Sequence, residues 1–337
     1  MNIAYHCTDN YAQITATSIV SVFENNKYFD EINIFIVENG FSQETKGKFI
    51  EIADRYGRKM FFIPMPDFYK EYGLYLVSIK KKWMFDSYSR LFLDRLMPNE
   101  NRVLYLDGDI IVAGSLKKLW EKDLGGKCCA AALDCISESY YKLFGLREGS
   151  RYCNSGVILI DLDAWRKCNI SNKVIGYVQK NHGYVFFMEQ TVFNVVLQDQ
   201  IKYLGATYNV STLMQTMTLT ELKELRHYKS FYNQAEIEKA LETHVIVHMT
   251  GFFYVINRAW NEVTNHPAKS LFVEYCSMLR WNQDVLQKDT RVLSVRVKDF
   301  FIHTIPKPVM IRLAAWIYNG WRVKNIQKQS DRVRGVR

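Results

Sequence analysis

An α/β fold, with a parallel sheet covered by helices, follows from three observations on this 337-residue sequence. Residues 2–64 alternate short apolar β runs with segments of helical spacing, the rhythm of βαβ units. A further apolar run, Val103–Leu106, ends abruptly on Asp107-Gly108-Asp109, as strands do at the carboxyl edge of such sheets. The charge is also divided: residues 291–337 hold 11 Lys/Arg against two acids, which accounts for the whole net charge of +9 and leaves residues 1–290 balanced. With 48% hydrophobic residues, 17 Gly and only 6 Pro, the chain buries a core, which excludes disorder and collagen-like architecture.

Taken in order, Asn2–Cys7 reads as a strand and Ala12–Glu24 as a helix. Ile32–Val37 is a second strand. Ser42 is placed to cap a helix reaching Tyr56, and Lys59–Pro64 is a third strand. Asp67–Met84 is aromatic and Lys-rich without period, a mobile loop or short helices. Asp86–Leu96 reads as helical. Strands follow at Val103–Leu106, Cys128–Leu133, Val157–Asp161 and Val245–His248, with helices at Asp163–Lys180, Glu189–Leu197 and Gln234–Glu242. No Pro- or Gly-rich linker interrupts this order, so a domain over residues 1–285 and a basic aromatic tail over 286–337 are expected.

The N-terminus lacks a basic region followed by an apolar stretch, so no secretory signal is read. Seven cysteines, an odd number without a CxxC pair, suit reduced thiols in a cytoplasmic protein. The sequons at Asn169 and Asn209 are then accidental.

Asp107 and Asp109 lie two apart, so both carboxylates can point the same way, and Gly108 lets a ligand approach the backbone. Two carboxylates at a sheet edge suit Mg²⁺ or Mn²⁺ holding a diphosphate; the same residues also suit a surface turn of two solvated acids. His248 follows an apolar strand and can reach that edge, where an imidazole beside two carboxylates favours Mn²⁺; equally it can be a hydrogen-bonded structural histidine. Asn154-Ser155-Gly156 before a strand can bind sugar hydroxyls or simply form a turn. Glu189-Gln190 opens a helix, where an acid also complements the helix dipole.

Together these motifs resemble family 8 glycosyltransferases, retaining enzymes of the GT-A fold, in order over about residues 2–260. Thr8-Asp9-Asn10-Tyr11 resembles the family's D-x-N-Y turn, and Ser89-Arg90 its Y-x-R helix. Tyr105–Val112 resembles Y-L-D-x-D-x-x-V, and Asn154-Ser155-Gly156-Val157 with Asp161–Arg166 resembles its F-N-(A/S)-G-V strand and following helix. Glu189-Gln190 with Asn194 is similar to D-Q-D-x-x-N, and His248-x-x-Gly251 to H-x-x-G-x-x-K-P-W. Three departures stand out. Thr8 replaces an Asp, which leaves the contact to uracil open. Glu189 replaces an Asp beside the donor sugar. The Lys position falls on Tyr254, although Arg258-Ala259-Trp260 reads as Lys-Pro-Trp displaced by a four-residue insertion.

The resemblance implies a GT-A mixed sheet of Rossmann-like nucleotide-diphospho-sugar transferase type and transfer of glucose or galactose from a UDP-sugar. It implies Mn²⁺ (or Mg²⁺) on Asp107, Asp109 and His248. The donor lies along Thr8, Asp9, Asn10, Tyr11, Arg90, Asp107, Gly108, Asn154, Ser155, Gly156, Gly251 and Arg258. Gln190 and Glu189 position the sugar; because a carboxamide is a poor nucleophile, a same-face, ion-pair-like substitution fits better than double displacement. Asp67–Met84 and Gly251–Trp260 read as lids that exclude water. The acceptor expected is a glycan or glycolipid in surface-glycan assembly; a protein acceptor or a silent sugar-nucleotide-binding relative are the alternatives.

In the tail, Val309–Val323 combines Trp316 and Trp321 with Arg312, Arg322 and Lys324 behind Pro306 and Pro308, a helix start. Too short to span, it suits an anionic membrane surface on the inner face of the cell membrane, or else a last helix packed on the domain. A nucleic-acid partner is excluded by the neutral body, and a haloacid-dehalogenase-like phosphatase by the position of the D-x-D and the lack of a later acidic cluster.

Overall fold

Ten strands are arranged in two sheets in the computed structural model, which describes residues 1–76, 83–281 and 284–333. They are β1 (Asn2–Thr8), β2 (Asn33–Asn39), β3 (Lys59–Pro64), β4 (Arg102–Leu106), β5 (Ile110–Val112), β6 (Cys129–Leu133), β7 (Cys153–Asp161), β8 (Ile201–Leu204), β9 (Val210–Ser211) and β10 (Ile246–His248). The main sheet runs β3-β2-β1-β4-β7-β6-β8. Its first four strands are parallel, and β7 is antiparallel to both β4 and β6. The sheet is therefore mixed, as the GT-A resemblance implies. The small sheet runs β5-β10-β9.

The central strands are apolar on both sides because helices cover both faces. Along β4, Leu104 and Leu106 pack with Ile3, Tyr5, Ile19 and Phe23 beneath the Ala12–Asn25 helix. Val103 and Tyr105 face the other way, onto Ile158, Trp165, Val192 and Phe193. This period of two sends Asp107 to the Tyr105 side. At the edge, β3 shows alternating exposure. Ser42 caps the Gln43–Arg55 helix by accepting from the Thr45 N–H.

Several expected elements are divided. The single helix expected over Asp163–Lys180 is two, Leu162–Lys167 and Ile170–Lys180, because Asn169 adopts φ 54°, a left-handed conformation that Asn tolerates. Asp86–Leu96 holds a 3₁₀ stretch, Ser87–Phe92, followed by one turn of α-helix, Leu93–Leu96. Within Asp67–Met84, Phe68–Tyr72 is helical, while 77–82 lie outside the described residues. Among the described residues no cysteine is disulfide-bonded.

The tail forms helices at Leu293–Thr304 and Lys307–Trp316, a π stretch at Ile317–Trp321 and a helix at Arg322–Val333. Ile311 packs with Leu222, Leu225 and Met217, and Ile326 with Tyr140, Phe144 and Tyr152. The opposite face stays open: Leu293, Phe300, Trp316 and Trp321 are all more than half exposed. Among the described residues no helix is long and apolar enough to cross a membrane.

Candidate active site

Asp107-Gly108-Asp109 is the link by which the chain leaves the main sheet and enters the small one. On one side, β4 and β7 pair Leu106 with Val157, and the Asp107 N–H extends that ladder by donating to the Gly156 carbonyl at 2.8 Å. On the other, antiparallel pairing sets His248 opposite Ile110, and the Met249 N–H donates to the Asp109 carbonyl. Two independent ladders thus bring Asp107, Asp109 and His248 together, with one ligand atom from each lying within 4.8 Å of the others.

His248 Nε2 is 3.2 Å from Asp109 Oδ1 and 3.8 Å from Asp107 Oδ2. Arg258 closes the other side of Asp109 at 2.9 Å while also donating to the Met249 carbonyl. Burial opposes the ionised Asp109, but the His248 charge and hydrogen bond with Arg258 outweigh it and hold the carboxyl at about 2. Burial likewise opposes His248 protonation, and Asp109 reverses the balance, raising its pKa. Two carboxylate oxygens and one imidazole nitrogen fit a divalent cation of the Mn²⁺ kind. Space is close here: a Cβ on Gly156 would lie 2.4 Å from His248 Cε1 and 2.7 Å from Asp107 Oδ2.

Arg90 is buried behind Asp107. It pairs with Asp107 Oδ1 at 2.8 Å, donates to the Ser155 carbonyl at 2.8 Å and approaches Glu189 Oε1 at 3.6 Å, its plane 4.6 Å from the Tyr105 ring. Burial opposes its charge, yet Asp107, Tyr105 and Glu189 raise its pKa further. Glu189 is also fixed by the Ser87 hydroxyl at 2.7 Å. In this arrangement Arg90 orients both acids rather than lining open space.

A chain of side-chain amides connects these groups, and its polarity is set at the ends. The Asp134 carboxylate can only accept, so Gln190 Nε2 donates to it at 2.8 Å. Gln190 Oε1 then accepts from Asn154 Nδ2 and the Ser155 N–H, both at 3.2 Å. Asn154 Oδ1 in turn accepts from the Gly156 N–H and from Asn209 Nδ2 at 2.8 Å. The Asn209 oxygen is left to accept from His248 Nδ1 at 3.0 Å, which directs Nε2 toward the two carboxylates, where it donates to Asp109 and, once deprotonated, would be the nitrogen free to ligate a metal. Asp134 and Asn209 were not among the sequence candidates. Asp134 follows the apolar strand β6, the same placement that marks Asp107; Asn209, seen only as a sequon, is buried.

The turn after β1 reaches the site through Tyr11. Its ring lies edge-on to Trp260 at 5.6 Å and would touch a Cβ on Gly108 at 3.3 Å. Burial, then Asp109, raises the Tyr11 pKa. Thr8, Asp9 and Asn10 stay at the surface, where Asp9 accepts from the Ser42 N–H at 3.1 Å. Gly251 is open to solvent with Arg258 beneath it. Tyr254 points elsewhere, its ring 5.0 Å from that of His303 in the tail.

A mixed sheet whose fourth strand ends on paired aspartates, met by a small second sheet bearing a histidine, defines the GT-A class of sugar-nucleotide transferase folds. The sequence pattern of the family described as Glycosyl transferase family 8 matches residues 2–262, and the chain belongs to that family. General stress protein A of Bacillus subtilis is 25% identical over 286 residues, covering 84% of this chain and 95% of that protein. Lipopolysaccharide 1,2-glucosyltransferase of Escherichia coli is 23% identical over 288 residues, covering 84% and 80%. Among solved structures, galactosyltransferase LgtC in complex with donor and acceptor sugar analogs superposes with a TM-score of 0.66 at 23% identity, over 88% of this chain and all of that one.

Proposed function

We propose that the chain is a metal-dependent, retaining hexosyltransferase that moves glucose or galactose from a UDP-sugar to a saccharide acceptor, lipid-linked, in lipopolysaccharide, capsule or other surface-glycan assembly. The observation that carries this reading is the convergence of Asp107, Asp109 and His248 where the two sheets meet. Mn²⁺ held by these three would neutralise charge on the departing diphosphate. Arg258 sits against Asp109 with its guanidinium under Gly251, positioned to meet the same phosphates. The Thr8–Tyr11 turn would take the uridine, with the Tyr11 ring beside Gly108 and edge-on to Trp260.

Gln190 is held at both ends of its amide, so its oxygen is fixed rather than free to attack. A carboxamide is moreover a poor nucleophile, which favours same-face substitution with Gln190 and Glu189 positioning the sugar. The exposed aromatic face and the basic residues of the tail suit attachment to the inner face of an anionic cell membrane, where a lipid-borne acceptor would be met. The test is Mn²⁺-dependent UDP release from UDP-glucose and UDP-galactose. Asp109→Asn should abolish it, and near-normal turnover in that variant would sink the metal assignment.

A further inference from the structure

The Leu293–Thr304 and Lys307–Trp316 helices leave a cavity of about 700 Å³ between themselves and the body. That is the size of a ligand pocket, typically about 300–1,000 Å³. Its walls are mostly apolar, including Phe252, Phe301, Ile302, Ile305, Leu313 and Ile317, yet Arg226, Lys298 and Arg322 also line it. Among the described residues none of these three cations has an ion-pair partner, and Arg226 Nε is buried without a hydrogen-bond acceptor. A buried donor left unanswered is costly, the more so when it belongs to a charged group.

The cavity adjoins the transfer site through one lining residue and reaches it electrostatically through another. Gly251, which covers Arg258, is part of its lining. Arg226, lying 4.1 Å over the Tyr318 ring, is also influenced by Asp134, the acid that holds Gln190. An uncharged hydrocarbon would leave the Arg226 donor unanswered, and a soluble anionic sugar would leave the apolar walls wet. An amphiphile carrying an anionic group satisfies both.

We propose that this cavity holds the hydrocarbon chain of a phosphate-bearing amphiphilic acceptor, with Arg226, Lys298 and Arg322 receiving the phosphate. This rests on the transferase reading above for the acceptor's role. It sets the lipid in the tail and leaves its saccharide to reach Gln190 across Asp134.

The test is calorimetric titration of the full chain with dodecyl phosphate below its micelle concentration, alongside dodecyl maltoside and inorganic phosphate. Dodecyl phosphate should bind, and the other two at least about tenfold more weakly. Ala314→Trp, which fills the cavity, and Lys298→Glu, at its exposed rim, should each weaken dodecyl phosphate binding at least about tenfold. Equal binding of the maltoside or of inorganic phosphate overturns the proposal, as does unweakened binding by the Lys298→Glu protein. UDP release without dodecyl phosphate binding removes the pocket and leaves the transferase. Binding without UDP release overturns the transferase reading and with it the pocket's part in acceptor capture.

Discussion

His248 and Asn209 are joined by a 3.0 Å hydrogen bond from the ring Nδ1–H to the side-chain amide oxygen. Because the Asn209 nitrogen is committed to Asn154, the oxygen cannot turn away, and one histidine tautomer is selected. Losing such a partner typically costs 10–100-fold in metal affinity. Asn209→Leu should therefore weaken Mn²⁺ binding by about 10–100-fold. Asn209→Asp keeps an acceptor for Nδ1 and should restore most of that affinity, while disturbing Gln190 through Asn154. Equal Mn²⁺ affinity for the wild-type and Leu proteins in a calorimetric titration would show that Asn209 does not orient the ring.

Gly156 and Gly47 separate close approach from ordinary glycine content. A Cβ on Gly156 meets His248 and Asp107 at distances that force movement, whereas one on Gly47, inside the Gln43–Arg55 helix, meets nothing within 4 Å. Overpacking costs about 1–3 kcal/mol, and here the atoms that must move are the proposed metal ligands. Gly156→Ala should lower both the melting temperature and Mn²⁺-dependent UDP release. Gly47→Ala should leave turnover unchanged and stabilise by about 0.5–1 kcal/mol. Normal turnover in Gly156→Ala would count against the ligand geometry.

Legibility in the sequence followed periodicity and chain punctuation. β1 to β4, the Ser42 cap and the Asp107–Asp109 turn were readable because each strand is a five- to seven-residue apolar run bounded by polar residues. β5, β8 and β9 were not, since two to four residues show no period and their pairing depends on distant partners. The same limit hid the second sheet. His248 was expected at the carboxyl edge of the main sheet, but it reaches the aspartates on its own ladder opposite Ile110. Asn209 and Asp134 were illegible for a related reason: their contribution is a hydrogen bond to a residue 39 or 56 positions away. The tail helix from Pro306 was legible from its prolines, whereas the cavity beneath it was not, because a cavity is a property of packing.

Arg258 and Tyr254 compete for the position where a family 8 sequence carries lysine. Arg258 contacts Asp109 and lies beside Trp260, with its guanidinium 5.6 Å from the indole. Tyr254 is turned to the tail, with Lys307 Nζ 5.8 Å from its ring. Removing one preorganised donor that meets charge developing in a transition state typically costs about 2.7–4 kcal/mol. Arg258→Ala should cut UDP release by about 10²–10³, with Lys restoring part of it, while Tyr254→Ala should cost less than about tenfold. The reverse order of losses would refute the displaced insertion.

His266 gives the fold a dependence on pH that can be assigned in advance. Its Nδ1 accepts from the Ala268 N–H at 3.1 Å, so the neutral ring donates from Nε2 to the Thr212 hydroxyl at 2.9 Å. Burial disfavours the charged ring and the nearby Arg258 adds to the penalty, holding the pKa at about 4; protonation would also set a second N–H against that of Ala268. Between pH 4 and 6.5 the unfolded chain carries a proton that the folded chain refuses. The resulting stability is complete above about pH 6.5, the unfolded value, and is lost as pH falls toward 4, amounting to about 3 kcal/mol. His266→Gln keeps a donor for Thr212 and has nothing to titrate. The wild-type advantage in urea midpoint over this variant should therefore be largest at pH 7.5 and shrink or reverse at pH 4.5. An advantage that stays constant across that window would mean that His266 takes up its proton without resistance in the folded state.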